Sequence, residues 1–347
     1  MGLNCALTGE SRILLVPFEL HRRFKRVYVR LPHAQEWIVL DEFGATALTW
    51  LDEGLNLSEA RARAIAEWKT PLDTESFAAS LIEMGAAKPL CSGQQHHSHQ
   101  LPVKEAGRQY RATWWSFASI ALLGIAYILI LGVQAGRLPL TGHALIPEAL
   151  SLSTGILLLI SATIVTVVLH ESAHAIIGHA YGLKPKFALN TRGLWVVIET
   201  RLRDLWSLAP RYQWRPVVAG LMSDVVVLSA ALAFWDASGR DGIGGSIALM
   251  LAAVSACHIL WQFQWFMRTD VYYLMNVLSG SLSLRYDARQ VLLDISRRFH
   301  GDMDPPSDDV RAGKLYLLTL PVAFTFTAVL WGCFILPGAL QFIQRLG

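Results

Sequence analysis

Charge is what this chain has least of. Asp, Glu, Lys and Arg make up 16% of its 347 residues, against 53% apolar residues. One water-soluble core does not explain that balance, which points to a polytopic membrane protein carrying a soluble part. Cysteine is also sparse: Cys5, Cys91, Cys257 and Cys333 lie far apart with no C-x-x-C pair. Neither a thiolate zinc site nor a disulfide framework is indicated. The net charge of +3 is too small to argue for a nucleic-acid partner. A secretory signal is not expected, because the first apolar run, residues 13–18, is short and the basic segment 21–26 follows it. No internal repeat is evident.

Long apolar runs are what the chain does have. Five segments reach the length of about 20 residues that a helix needs to cross a bilayer core: residues 114–133, 149–181, 216–235, 243–267 and 315–336. With the N-terminus inside, the inside segments carry 13, 7 and 7 Lys or Arg residues, whereas the outside segments carry one each, at Arg137, Arg240 and Arg345. That asymmetry sets the expected orientation with the N-terminus cytosolic.

Inside the second of these runs lies His170-Glu171-Ser172-Ala173-His174. At helical pitch, residues i and i+4 share a face, so both imidazoles can reach one metal ion while Glu171 stands beside them as a general base. Ionisable groups at membrane depth are costly unless paired, which favours a metal site over a chance match. A catalytic zinc takes three protein ligands and leaves a position open, so a third ligand is needed. His179 does not fit the extended H-E-x-x-H-x-x-G-x-x-H spacing and points about 180° away from His170 at helical pitch, which gives it a boundary or structural role. Asp270 follows the fourth run at the end where the charge asymmetry places His174, and can complete a His-His-Asp site. Asp224 and His258 also sit at membrane depth; Asp224 is a candidate for lining the site, and either can be satisfied by an interhelical hydrogen bond.

With His170, Glu171, His174 and Asp270 in that order, residues 114–300 resemble the site-two protease family of intramembrane zinc metalloproteases. In related peptide-processing members the second motif often reads Asn-x-x-Pro-Phe-x-x-x-Asp-Gly-Tyr-Tyr-Leu. Phe266, Asp270, Tyr272, Tyr273 and Leu274 fit it, whereas Gln262, Trp265 and Val271 stand where it has Asn, Pro and Gly. The step Ala219-Gly220 before Asp224 is similar to the Ala-Gly step of that family's third core helix. The resemblance implies Zn²⁺ held by His170, His174 and Asp270, with Glu171 as the base that takes the proton of the attacking water.

Residues 186–189 and 194–198 flank the polar turn 190–193 and read as a β-hairpin. The resemblance implies that this hairpin presents substrate, with Leu194, Trp195, Val196 and Val197 as substrate-binding positions; an interfacial anchor is the other reading. Ahead of the apolar runs, residues 27–31 and 37–40 read as strands and three short helices follow. Ser58 is the expected cap of the second helix, and the third runs over residues 73–84 to stop at Gly85. This small α+β, winged-helix-like module resembles PqqD-like domains, which implies recognition of a leader peptide; a regulatory or packing domain is the alternative. Residues 91–113 read as a polar linker whose His96, His97 and His99 lack a metal-binding framework.

The expected organisation is therefore a PqqD-like module over residues 1–90, a linker over 91–113 and a helical membrane domain of about five spans over 114–347. The expected location is the bacterial inner (cytoplasmic) membrane. The expected activity is zinc endopeptidase action on a peptide precursor or membrane-associated polypeptide, with the lipid bilayer as the other partner and no nucleic acid. A catalytically inactive zinc-containing peptide-binding protein is the alternative, and a zinc transporter is a further one, although no second helix carries a matching His-Asn-x-x-Asp motif.

Overall fold

The computed structural model describes residues 7–23, 26–31, 37–89, 108–134, 140–192, 195–202, 204–240, 242–299 and 311–346. The chain divides into two compact units, Met1–Glu105 and Ala106–Gly347. His96, His97 and His99 fall outside the described residues.

The first unit is α+β. Strand β1 (Ile13–Leu15) pairs antiparallel with β5 (Ala87–Pro89), so the two ends of the unit are joined. Strands β2 (Glu19–Arg23), β3 (Arg26–Arg30) and β4 (Trp37–Leu40) form an antiparallel meander in that order. Three capped helices lie between β4 and β5. In α1 (Glu42–Asp52), Asp41 accepts from the Gly44 N–H at 2.7 Å. In α2 (Leu57–Trp68) the cap is Asn56 and not Ser58: Asn56 and Glu59 exchange two 2.7 Å bonds in a capping box, which satisfies two helix-end donors, while the Ser58 N–H donates to the Gly9 carbonyl. In α3 (Thr74–Glu83), Asp73 is the cap and Gly85 leaves the helix at φ +71°. Ile13, Leu15, Phe18, Val29, Leu48, Leu51, Leu57 and Leu81 close the core. Strands β1, β2 and β5 are additional to the two read from the sequence: β1 and β5 are three residues each, too short to show alternation, and β2, Glu-Leu-His-Arg-Arg, has a single apolar residue.

The second unit is helical, and five helices are long and apolar enough to cross a membrane. Helix α4 (Arg108–Gln134) begins inside the segment read as linker, taking residues 108–113 from it. Helix α5 (Leu152–Ala180) carries the His170 to His174 turn, and Ser151 caps it. Helix α6 (Pro210–Ala237) begins six residues before the expected start, with Pro210 in its first turn and Pro216 inside it. Helix α7 (Gly242–Gln262) stops five residues short of the expected 267. The break has a visible cause: the Thr269 hydroxyl donates to the Gln262 carbonyl at 2.6 Å, and the chain turns back through Arg268 at φ +60°. Helices α8 (Asp270–Ser279) and α9 (Leu284–Phe299) follow. Helix α10 (Arg311–Leu330) continues through a π-helical segment, Trp331–Ile335, into α11 (Leu336–Gln344).

Helix α6 lies at the centre, packed against α4, α5, α7 and α8. The outward faces are apolar: Leu123 is 71% exposed, Leu157 66% and Leu318 76%. Exposed leucine over whole helix faces is unfavourable in water and matches a surface covered by lipid. Between α5 and α6, β6 (Lys186–Arg192) and β7 (Trp195–Arg201) form an antiparallel hairpin with Lys186 opposite Arg201 and Arg192 opposite Trp195. Residues 190–192, expected in the turn, extend strand β6 instead, and the Asn190 amide donates across the hairpin to Glu199 Oε1 at 3.1 Å.

Candidate functional site

Helix α5 places His170 and His174 on one buried face, with their Nε2 atoms 3.1 Å apart. Asp270, the first residue of α8, brings Oδ2 to 2.9 Å from His170 Nε2 and 3.0 Å from His174 Nε2. Three atoms from two helices thus form a nearly equilateral triangle.

The far sides of the two rings determine what this triangle can hold. His170 Nδ1 lies 2.9 Å from Asp224 Oδ2, and His174 Nδ1 lies 2.8 Å from the Pro216 carbonyl. A carboxylate and a carbonyl only accept hydrogen bonds, so each Nδ1 is a donor, and in a neutral ring the Nε2 is then a bare lone pair. Two imidazole lone pairs and a carboxylate oxygen converge on one point, which requires a cation there, whether proton or metal ion. Around a tetrahedral zinc with ligand bonds of about 2.0–2.1 Å, donors lie ~3.3 Å apart. The triangle is within a few tenths of an ångström of that spacing.

Helix α6 shapes the rest of the cradle at a spacing of four. Pro216, Gly220 and Asp224 share one face and meet His174, both rings and His170 in turn. A Cβ on Gly220 would lie 2.4 Å from both Nε2 atoms, so only glycine leaves room for the rings and for anything between them. Asp224 is 1% exposed and accepts a second bond, with His258 Nδ1 3.1 Å from its Oδ1. Its two oxygens face different imidazoles, so His170, Asp224 and His258 form a hydrogen-bonded chain whose ligand atoms all lie within 4.8 Å of one another, a second group that could hold a cation beside the triangle of His170, His174 and Asp270.

Gln262 and Arg268 position Asp270. The Gln262 Oε1 accepts from the Asp270 N–H at 3.1 Å, and its Nε2 lies 3.4 Å from His170 Nε2. Arg268 occupies the left-handed region at φ +60°, a cost of about 1 kcal/mol for a residue with a Cβ, in the turn that aims Asp270 back at α5. Burial works against the Asp270 charge, but the facing imidazoles of His174 and His170, when protonated, outweigh it and hold the carboxyl well below the usual carboxylate range.

Glu171 is the neighbour with an open valence. Its Oε2 is buried and has no hydrogen-bond partner among the described residues, a costly state unless a water or ligand completes it. Its backbone carbonyl accepts from the Thr200 hydroxyl at 3.0 Å, which ties strand β7 to this turn of α5. On the hairpin, Val196 is 74% exposed and Phe187, Leu189 and Ile198 are also exposed, while Val197 is partly buried. Leu194 lies outside the described residues and the side chain of Trp195 is not described. His179 is exposed in the last turn of α5, away from the triangle.

The structure thus brings together His170, His174, Asp270 and Asp224 as singled out from the sequence. It adds Pro216, and it gives Gly220 and Gln262, read from the sequence only as motif positions, a contact with the triangle. The i, i+4, i+8 spacing of Pro216, Gly220 and Asp224 was a readable signal, because it matches the pitch of the two histidines. No family model, curated protein or solved structure matches the chain.

Proposed function

We propose that the protein is a membrane-embedded zinc endopeptidase of the site-two protease type, acting on a peptide precursor or membrane-associated polypeptide. The observation that carries this reading is the convergence of His170 Nε2, His174 Nε2 and Asp270 Oδ2 on one point, with Glu171 Oε2, buried and without a partner among the described residues, on the adjoining residue. When bound there, zinc supplies Lewis acidity, acidifying water and polarising a carbonyl.

The residues of the chain do the rest. Asp224 and the Pro216 carbonyl hold the two imidazoles with their lone pairs turned inward. Glu171 takes a proton from the attacking water and returns it to the departing amine nitrogen. The β6–β7 hairpin, fixed to the Glu171 turn through Thr200, offers a strand edge for an extended substrate segment. An extended segment is required because a helix hides its carbonyls in internal hydrogen bonds. The five apolar helices lie in the bacterial inner membrane with the N-terminus in the cytosol, and the first unit acts as a PqqD-like, winged-helix module that captures the leader of a precursor.

Metal analysis of the purified full-length protein, run beside mass spectrometry of a candidate precursor incubated with it, tests the reading. About one zinc per chain and new peptide termini are expected. Zinc with bound but uncut precursor identifies an inactive peptide-binding protein, and zinc uptake into vesicles without cleavage identifies a transporter. A chain without zinc overturns the metal assignment.

A further inference from the structure

The cytosolic ends of α4, α5 and α6 hold a second feature, unrelated to the metal triangle. The guanidinium of Arg215 sits among five aromatic rings, with Cζ 5.5 Å from Trp114, 5.7 Å from Trp115, 6.0 Å from Tyr181, 5.1 Å from Tyr212 and 5.7 Å from Trp214. Its Nη1 donates to the Tyr181 hydroxyl at 2.7 Å, and its Nε is buried without an acceptor among the described residues. Beside it, Arg111 Nη2 donates to the Tyr212 hydroxyl at 3.0 Å.

Ring faces stabilise a cation but leave the in-plane N–H donors of a guanidinium unmet, and it has five. Neither Arg215 nor Arg111 forms an ion pair with a carboxylate among the described residues. Arg111 is the fourth residue of α4, at a helix end where the backbone dipoles are also positive, and Arg215 is the sixth residue of α6. Two cations, unused donors and the positive end of α4 call for an anion. Trp115, 60% exposed, keeps one wall of the cage at the surface. A belt of Trp and Tyr at one end of three apolar helices marks the headgroup level of a bilayer, where phosphodiesters are the abundant acceptors.

We propose that Arg215, supported by Arg111, binds a phosphate group, the headgroup phosphate of an anionic lipid in the cytosolic leaflet being the source this position favours. Tyr181 aims the guanidinium, the rings fix its plane, and its remaining donors engage two phosphate oxygens as a fork. The proposal rests on the membrane reading above but on neither zinc nor peptidase activity.

Native mass spectrometry of the full-length protein in an uncharged detergent tests it, with phosphatidylglycerol, phosphatidylcholine and inorganic phosphate as separate probes. Saturable phosphatidylglycerol adducts are expected, at least tenfold tighter than those of phosphatidylcholine. Arg215→Lys, which keeps the charge but loses the fork, should bind about tenfold more weakly, and Arg215→Gln should not bind saturably. Should Arg215→Gln fail to fold, Arg215→Lys against wild type still decides. Tight binding of inorganic phosphate, lost in the same variants, supports the site and makes a free phosphate compound its ligand. Absence of saturable binding by the wild type, or equal binding by wild type and both variants, overturns the proposal. Recovery of the chain in carbonate-washed membranes checks the membrane reading separately, so the two can fail independently.

Discussion

Asp224 holds His170 from behind: its Oδ2 lies 2.9 Å from the ring nitrogen that faces away from the triangle formed with His174 and Asp270. The bond selects the tautomer that turns the other nitrogen, as an acceptor, towards Asp270 and His174. Outer-shell carboxylates of this kind raise the basicity of a ligating histidine and fix its orientation, and their loss typically costs 10- to 100-fold in metal affinity. Asp224→Asn should therefore weaken zinc affinity by about 10- to 100-fold, measured by competition with a chelator, while leaving the helical circular dichroism spectrum in place. Unchanged affinity would remove Asp224 from the site.

Gly220 is where α6 meets the two imidazoles of α5. Adding one methyl group in Gly220→Ala places a carbon 2.4 Å from both Nε2 atoms, so either the rings turn or α6 moves away from α5. Overpacking of this kind costs about 1–3 kcal/mol. Zinc occupancy should fall sharply and thermal stability modestly. A variant with full zinc and wild-type melting would show that the space above Gly220 is not where the metal lies.

Glu171→Gln separates chemistry from binding. The amide keeps the size of the side chain but cannot take a proton from water, so zinc should stay near one per chain while the rate of cleavage drops by about 10²- to 10⁴-fold. Turnover at the wild-type rate sinks the general-base assignment.

Asp270 is the proposed ligand that rests on long-range structure. Asp270→Ala removes one corner of the triangle, and both zinc occupancy and cleavage should fall. Asp236→Asn, a change at a half-buried position that removes only the charge of a pair with Arg240 at 2.8 Å, should leave zinc occupancy alone. If Asp270→Ala still binds zinc normally, the third ligand is elsewhere, with Asp224 and His258 the next residues to substitute.

What could be read from the chain followed periodicity and spacing. Five apolar runs gave five long helices, and i, i+4 placed His170 and His174 on one face. Helix ends were less legible, because they depend on contacts that no local pattern contains. The α7 helix stops at Gln262 through a hydroxyl seven residues on, and α6 starts at Pro210 in a stretch whose polar residues hide it from a hydropathy scan. The Asp224 carboxylate was visible as an expensive residue, yet its partner was not, since 54 residues separate it from His170 and only the packing of α5 on α6 joins them. Ser58 drew attention as a helix cap because Ser is a good one, but Asn56 makes a reciprocal pair with Glu59 and wins the position.

The first unit offers the prediction with the widest reach. It closes its own core through the β1–β5 pairing, and the helical unit, Ala106–Gly347, is compact by itself. If the first unit captures a leader peptide, it raises the local concentration of a weakly recognised substrate near the active site without touching the chemistry. A chain starting near Pro102 should then keep its zinc and cleave a leaderless substrate at close to the full-length rate. On the complete precursor its apparent KM should rise, by about tenfold or more if the effective concentration is in the millimolar range. Equal loss on both substrates would assign the unit a structural or regulatory role, because a docking module acts only on what it docks. No loss on either would leave the unit without a part in substrate capture, and precursor recognition would then have to lie within the helical unit, where the β6–β7 hairpin is the surface to probe.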